Sequence, residues 1–558
     1  MPNTRTAVTA ANALMQAQQC HAAGQFERAE DLYLQVLEAA PEDPEILHLL
    51  GVLHMQTQRT ESGIELLETA IEMAPENAQF RYSLGVGFQN LNRLEEARDA
   101  YRQTVDRDRS HFAGWYNLAI ALDKLGQPDQ ALDAARTAVR LDPGHANAAA
   151  YVAQLLRNAN RFEDALAALQ EAGSRLPDNP RILAETANVL SILHRFREGA
   201  TVARDAIATT PRDPGLQESL GRCLQALGDI DGASAAYSES HRLRRADPSA
   251  ETYLRSTMET TKAKLRHDIE QFRYLEGRGK GAEFADAAAR FESVLNELPA
   301  DLPDGKRSLL SRSQRERLGA IYNMPVHMGH APQIAGGTIN PEIDATAITR
   351  VYNDTAPGIC HVDDLLRPEA LDSLRRFCLE SAIWYDFRHQ EGYLGAYRDD
   401  GFSAPLLLQI AEELRNALPD IFLGHPVRQI WAYKYGAEMS GIATHADFAA
   451  VNVNFWITPD DANLDPESGG LIVHKAECPV DWTFRDYNST DKSRVNAFIE
   501  QNSKGTVVVP HRQNRAVIFN SDLFHATDRI RFREGYENRR INVTLLYGDR
   551  HYEGKQDH

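Results

Sequence analysis

Residues 94–127 read LEEARDAYRQTVDRDRSHFAGWYNLAIALDKLGQ, and the chain around them repeats with a period of 34. Pro41, Pro75, Pro143, Pro177 and Pro211 share one grid, with Arg109 in the vacant slot. Small residues fill one column at Ala29, Gly63, Ala97, Ala131, Ala165, Gly199 and Ala233. They fill another at Ala17, Gly51, Gly85, Ala119, Ala153, Ala187 and Gly221. A further column carries Tyr33, Leu67, Tyr101, Ala135, Leu169, Ala203 and Tyr237. Two helices in a tight hairpin account for every column. Small residues let the axes approach, larger ones fill the space between, and proline ends the second helix. Turns such as Gly126-Gln127-Pro128-Asp129 break the chain between helices. One hairpin cannot cover its own apolar face, so copies must stack.

The pattern resembles the tetratricopeptide family. That resemblance implies seven repeats over residues 10–247, wound as an all-α superhelix whose concave surface takes a protein or peptide. Hairpins packed in the family's way would turn Tyr82, Asn90, Tyr116, Arg157 and Asn158 towards that groove. Residues 248–346 read as a helical cap and linker. KAKLRHDIEQFRYLEG and AEFADAAARFESVLNEL keep helical patterning off the 34-residue grid, as expected of helices that hide the last repeat's apolar face. The Gly- and Pro-rich stretch 325–345 reads as extended.

A chain of 558 residues exceeds one ordinary core, so a multidomain protein is expected. The formal net charge of −19 speaks against a nucleic-acid partner, which needs clustered Lys and Arg. Five scattered cysteines give no disulfide or zinc framework and suit a reducing compartment. The first twenty residues lack the apolar core of a signal peptide. No apolar run reaches the roughly 18 residues that span a bilayer. A cytoplasmic location without a membrane partner is the expectation.

From residue 347 the pattern changes. ITRVYNDTAPGICHVDDLLRPEALDSLRRFCLES reads as a short strand leading to an amphipathic helix, and a second helix covers 403–417. RQIWAYKY, AVNVNFWIT, GGLIVH, TVVVP, RAVIFN and RRINVTLLYG then follow with period two. Many short strands after two helices predict an antiparallel barrel or jelly roll with helical support over 347–558.

His445-Ala446-Asp447 places an imidazole and a carboxylate on one face of an extended segment, where both can reach one metal. The motif alone is weak, because His361-Val362-Asp363 matches it too; there Asp363 or Asp364 is expected to cap the helix beginning near Leu366. His389-Gln390-Glu391 and His551-Tyr552-Glu553 are near-matches without supporting context, and His474 and His511 have no partner pattern. Strands flank His445-Ala446-Asp447, and Ala516 to Phe519 lead to His525. His445, Asp447 and His525 would form a two-histidine, one-carboxylate triad that leaves positions on the metal open.

This arrangement resembles the 2-oxoglutarate dioxygenase superfamily, most closely its prolyl 4-hydroxylase-like branch. The resemblance implies a double-stranded β-helix fold, Fe(II), 2-oxoglutarate as cosubstrate and dioxygen. It also implies a basic residue on a late strand that pairs with the distal carboxylate of 2-oxoglutarate. RRINVTLLYG occupies that place, and the pleat favours Arg540, which shares a face with Asn542 and Thr544. Tyr435 matches the family's cosubstrate-binding tyrosine, and Asn454 alternates inward on its strand as a further pocket candidate. The insertion between Cys478 and Gly505, with Trp482, Phe484 and Tyr487, reads equally as a substrate lid or a surface excursion. The expected function is hydroxylation of a protein or peptide recruited by the repeats. The alternatives are a small-molecule or carbohydrate-pathway oxygenase docked through its repeats, or an inactive scaffold.

Overall fold

The structure, a computed structural model, describes residues 4–246 and 257–549 apart from 390, 423, 480, 481, 483, 489 and 490. It divides into two compact units, Met1–Thr210 and Pro211–His558.

The first unit is all helical, from Thr4–Ala22 to Phe196–Thr209, paired as six hairpins. The small columns do what their size predicts. A Cβ added to Gly51 would lie 2.9 Å from the carbonyl oxygen of Gly63, and one on Gly85 would lie 2.6 Å from the Tyr101 ring. Two further columns emerge. Asp43, Asn77, His111, His145 and Asn179 each cap the first helix of a hairpin through their side chains. Gly24, Gln58, Asn92, Gly126, Asn160 and His194, also 34 apart, take positive φ where the first helix ends. Left-handed backbone at that point turns the chain sharply enough for the second helix to pack back.

The second unit opens with the seventh hairpin, Pro214–Ala226 and Ile230–Ala246, capped by Asp213. Its apolar side chains Ala233 and Tyr237 belong to the same core as Leu407, Leu408 and Leu414 of the Pro405–Ala417 helix. Among the described residues, that helix packs on the last hairpin. Lys262–Gly277 packs beside Glu283–Leu295 and against Pro368–Glu380, because Gln271 donates to the carbonyls of Leu379 and Ser381. The short strand expected after residue 347 is Ile359–Val362 and it leads to the helix Pro368–Glu380, but it is preceded by a helix that the pattern did not indicate, Ala345–Asp354. The Asp344 carboxylate caps it, and Ile348 and Tyr352, four apart, turn to the core.

Ten of the described strands build the two main sheets of the β-rich region: β1 Ile359–Val362, β2 Leu394–Tyr397, β3 Val427–Lys434, β4 Ile442–His445, β5 Val451–Trp456, β6 Leu471–Glu477, β7 Thr506–Val509, β8 Ala516–Asn520, β9 Leu523–Thr527 and β10 Ile541–Tyr547. They form a six-stranded sheet, β1-β8-β5-β10-β3-β2, and a four-stranded sheet, β7-β6-β9-β4, antiparallel throughout. Alternation divides each strand. Val453, Phe455, Val543, Leu545 and Ile430 join the core with Leu374 and Leu414 of the covering helices. Asn452, Asn454, Asn542 and Thr544 occupy the alternate positions.

Candidate metal and anion site

β9 pairs with β4 so that His525 lies opposite His445. Their rings approach to 4.4 Å between centroids, and Asp447 Oδ2 lies 3.4 Å from His525 Nε2. One ligand atom from each of His445, Asp447 and His525 lies within 4.8 Å of the others. The outer nitrogens orient the rings: His445 Nδ1 donates to Ala443 O at 3.0 Å and His525 Nδ1 to Leu523 O at 3.1 Å. A carbonyl only accepts, so each Nδ1 carries the proton and each Nε2 keeps its lone pair for the centre. Burial, reinforced by the neighbouring His525, pushes the His445 imidazole down to about 4, which keeps it in the neutral form that ligates metals. Burial raises the Asp447 carboxyl. Its polar neighbours His525, His445 and Asn452 outweigh that and hold the group below the usual carboxylate range. Two imidazoles and one carboxylate, open on one side, suit a divalent transition metal.

The triad opens into a cavity of about 550 Å³ lined by residues of both sheets. Tyr435, Asn454, Asn542 and Thr544 line it. Arg540 lies behind them, its guanidinium carbon 4.6 Å from the Tyr435 ring centre. Its Nε donates to Gly469 O at 2.6 Å, and longer bonds reach Gly470 O and Asn542 Oδ1. Arg540 is 1% exposed, and among the described residues it has no carboxylate partner. A buried cation held only by neutral acceptors favours an anion beside it.

The sequence singled out one tyrosine of RQIWAYKY. The pleat places Trp431 and Tyr433 on the same face as Tyr435, and β2 adds Tyr397 beside them; all line the cavity. Their alternation was the signal available. Arg388, His389, Glu391 and Lys492 complete the mouth. His389 and Glu391 thus reach the cavity without joining the triad, whereas Gln390 and residues 551–553 lie outside the described residues. Asn488 of the insertion donates to Ala446 O between two triad residues, and Tyr487 is buried, so this segment packs beside the site. Trp482 packs on Phe498 and Phe524, and the Phe484 side chain lies outside what is described.

The alternative motif resolves differently from expectation. Asp363 makes a two-pronged pair with Arg515 and pairs with Arg512, while Asp364 reaches Arg512 at 3.8 Å. The helix starts at Pro368 behind Arg367 and has no side-chain cap. Of the other histidines, His474 bonds Thr506 and His511 is buried against Trp456 and Phe532.

Among the residues expected in a peptide groove, Tyr82 accepts from Asn117 and packs on Tyr101 and His111. Tyr116 packs on Phe112 and Tyr151, and Arg157 pairs with Glu185. Asn90 and Asn158 are exposed. No helix among the described residues is long and apolar enough to cross a membrane.

Comparison with known proteins bears on the repeats. Residues 5–255 match the family described as the cilia and flagella-associated protein 70 C-terminal domain, a tetratricopeptide family model. Among solved structures, a crystal structure of MamA is 22% identical, with 29% of this chain and 94% of that one covered and a TM-score of 0.28. Pseudomonas aeruginosa pilF is 17% identical, covering 38% and 95%, with a TM-score of 0.33. A tetratricopeptide repeat protein from Parabacteroides merdae ATCC 43184 is 11% identical, covering 42% and 93%, with a TM-score of 0.34. No curated protein matches the chain. The family match ends at residue 255, before the cavity. With the 34-residue grid and its hairpins, that match marks the N-terminal region as tetratricopeptide-type repeats, followed by a C-terminal β-rich region of antiparallel sheets.

Proposed function

We propose that the β-rich region is an Fe(II)- and 2-oxoglutarate-dependent dioxygenase with a double-stranded β-helix fold, which hydroxylates a protein or peptide recruited by the repeats. The observation that carries this reading is a cavity with an open metal triad on one wall and a buried, unpaired Arg540 behind the other. A dicarboxylate that chelates a metal at one end and needs a cation at the other suits this pair.

In this reading His445, Asp447 and His525 hold Fe(II). When bound, iron with 2-oxoglutarate and dioxygen supplies the oxidising chemistry, turning the cosubstrate into succinate and carbon dioxide as one oxygen atom enters a substrate C–H bond. The protein's share is orientation and exclusion. Arg540 pairs with the distal carboxylate, and Tyr435 and Thr544 offer hydroxyls beside it. Asp447 occupies a position that would otherwise stay open. The aromatic wall of Trp431, Tyr433 and Tyr397 sets the space left for substrate. An inactive scaffold gives no reason to bury an unpaired guanidinium.

The full chain, supplied with Fe(II), 2-oxoglutarate and oxygen, should release succinate slowly without substrate and faster with it. No succinate, and no binding of unreactive 2-oxoglutarate analogues, would end the proposal. Removing Met1–Thr210 should abolish turnover of the native protein substrate and leave basal succinate release. If native turnover survives, the repeats serve assembly and not recruitment.

A further inference from the structure

A hydrogen-bonded line of three asparagines joins Arg540 to Asp447. Arg540 Nη1 donates to Asn542 Oδ1 at 3.4 Å, and Asn542 Nδ2 donates to Asn454 Oδ1 at 3.1 Å. Asn454 Nδ2 donates to Asn452 Oδ1 at 2.7 Å, and Asn452 Nδ2 donates to Asp447 Oδ2 at 2.5 Å. All three amides are buried, at 0%, 6% and 5% exposure for Asn452, Asn454 and Asn542.

The ends dictate the direction. A guanidinium only donates and an ionised carboxylate only accepts, so each amide between them has one orientation that satisfies both neighbours. Reversing any one would set oxygen against oxygen. The strand register makes the line possible, because Asn454 sits opposite Thr544 and Asn452 opposite Leu546, with Asn542 two residues along β10. Bonds aligned between opposite charges polarise one another, and fixing one end helps to order the other.

We propose that Asn542, Asn454 and Asn452 are positioning residues forming a relay, through which Arg540 helps to hold the Asp447 carboxylate in its metal-binding orientation. The metal and the distal carboxylate of the cosubstrate then favour each other's binding without sharing a contact. This rests on the reading of the cavity as a metal and dicarboxylate site.

The relay predicts an effect opposite in sign to simple electrostatics. A guanidinium repels a cation, so removing its charge should by Coulomb's law tighten metal binding. Through the relay, removing it loosens Asp447 and weakens metal binding. Mn(II) affinity of the full chain, measured by calorimetry without cosubstrate, separates the two. Arg540→Met and Asn454→Ala should each raise the Mn(II) Kd by about tenfold, as loss of outer-shell support does. The double variant should be little weaker than either single one, because both break one line. The overturning results are an Arg540→Met chain that binds Mn(II) as tightly as the wild type or tighter, or fully additive losses. Thermal melting of each variant checks the fold. Should Asn454→Ala not fold, Asn542→Ser interrupts the line at another residue and must give the same weakening. A wild-type chain that binds no Mn(II) overturns the metal reading itself, a result distinct from any variant effect.

Discussion

Arg540 carries its charge into a place where water is scarce and where, among the described residues, no carboxylate lies within ion-pair distance. Burial pushes its guanidinium downward, with Tyr435 and, more weakly, Asp528 acting in the opposite sense. The chain tolerates such a cost where a ligand removes it, so 2-oxoglutarate affinity should depend steeply on this side chain. Arg540→Ala should weaken 2-oxoglutarate binding by about 2–5 kcal/mol in calorimetry on metal-loaded protein. Arg540→Lys should restore little, since a point charge cannot make the two-pronged pair. Equal affinity in wild type and Arg540→Ala would remove the anion from this site. A second residue speaks for the repeats. His48 is buried, stacks on Phe80 and bonds Ser83, and burial pushes its imidazole down to about 4. Unfolded, an imidazole titrates near 6.5 (roughly). Between those values the unfolded chain holds more protons, so stability present above the upper one is lost as pH falls towards the lower, by at most about 3 kcal/mol. Urea unfolding followed from pH 7 to pH 5 (approximately the upper part of that window) should show the loss, and His48→Gln should flatten it.

At the scale of elements, the loop before β6 decides how Arg540 is held. Gly469 takes a φ of +77°, and its carbonyl accepts the shortest bond from Arg540. Gly470 lies so close to the end of β7 that an added Cβ would fall 1.8 Å from Val509 O. Gly470→Ala must therefore move backbone, which should cost about 1–3 kcal/mol of stability and also displace the carbonyls around Arg540. Gly436→Ala is the control, because nothing lies within 4 Å of its added Cβ. Denaturant midpoints that coincide for the two variants would sink this account. The alternation of RQIWAYKY and RRINVTLLYG was legible in sequence because a pleat has period two whatever surrounds it. The helix Ala345–Asp354 was missed because its β-branched residues favour extended backbone locally, while the Asp344 cap and the core facing Ile348 and Tyr352 favour helix.

At the scale of the molecule, the β-rich region does not end where its strands begin. Arg539, beside Arg540, makes a two-pronged pair with Glu270 of the Lys262–Gly277 helix and also donates to Tyr435 O. The N–H of Tyr435 in turn donates to Arg540 O. A chain beginning at residue 347 loses this helix, and with it the partner of a nearly buried Arg539. Removal of 1–346 should give a protein that aggregates or melts well below the full chain. Removal of 1–210 should leave the melting of the second unit nearly unchanged. Calorimetric scans of both truncations check this, and a stable, dicarboxylate-binding 347–558 fragment would refute it. The sequence by itself determined the seven hairpins, because a fixed period leaves the same columns at every turn. It also determined which strands alternate, and it nominated His445, Asp447, His525 and Arg540 by pattern. Only the tertiary structure decided that β9 sets His525 opposite His445, that Arg540 has no ion-pair partner among the described residues, and that Glu270 pairs with Arg539. The reason is physical: periodicity is written in local geometry, whereas pairing across long separations depends on which surfaces the folded chain brings together.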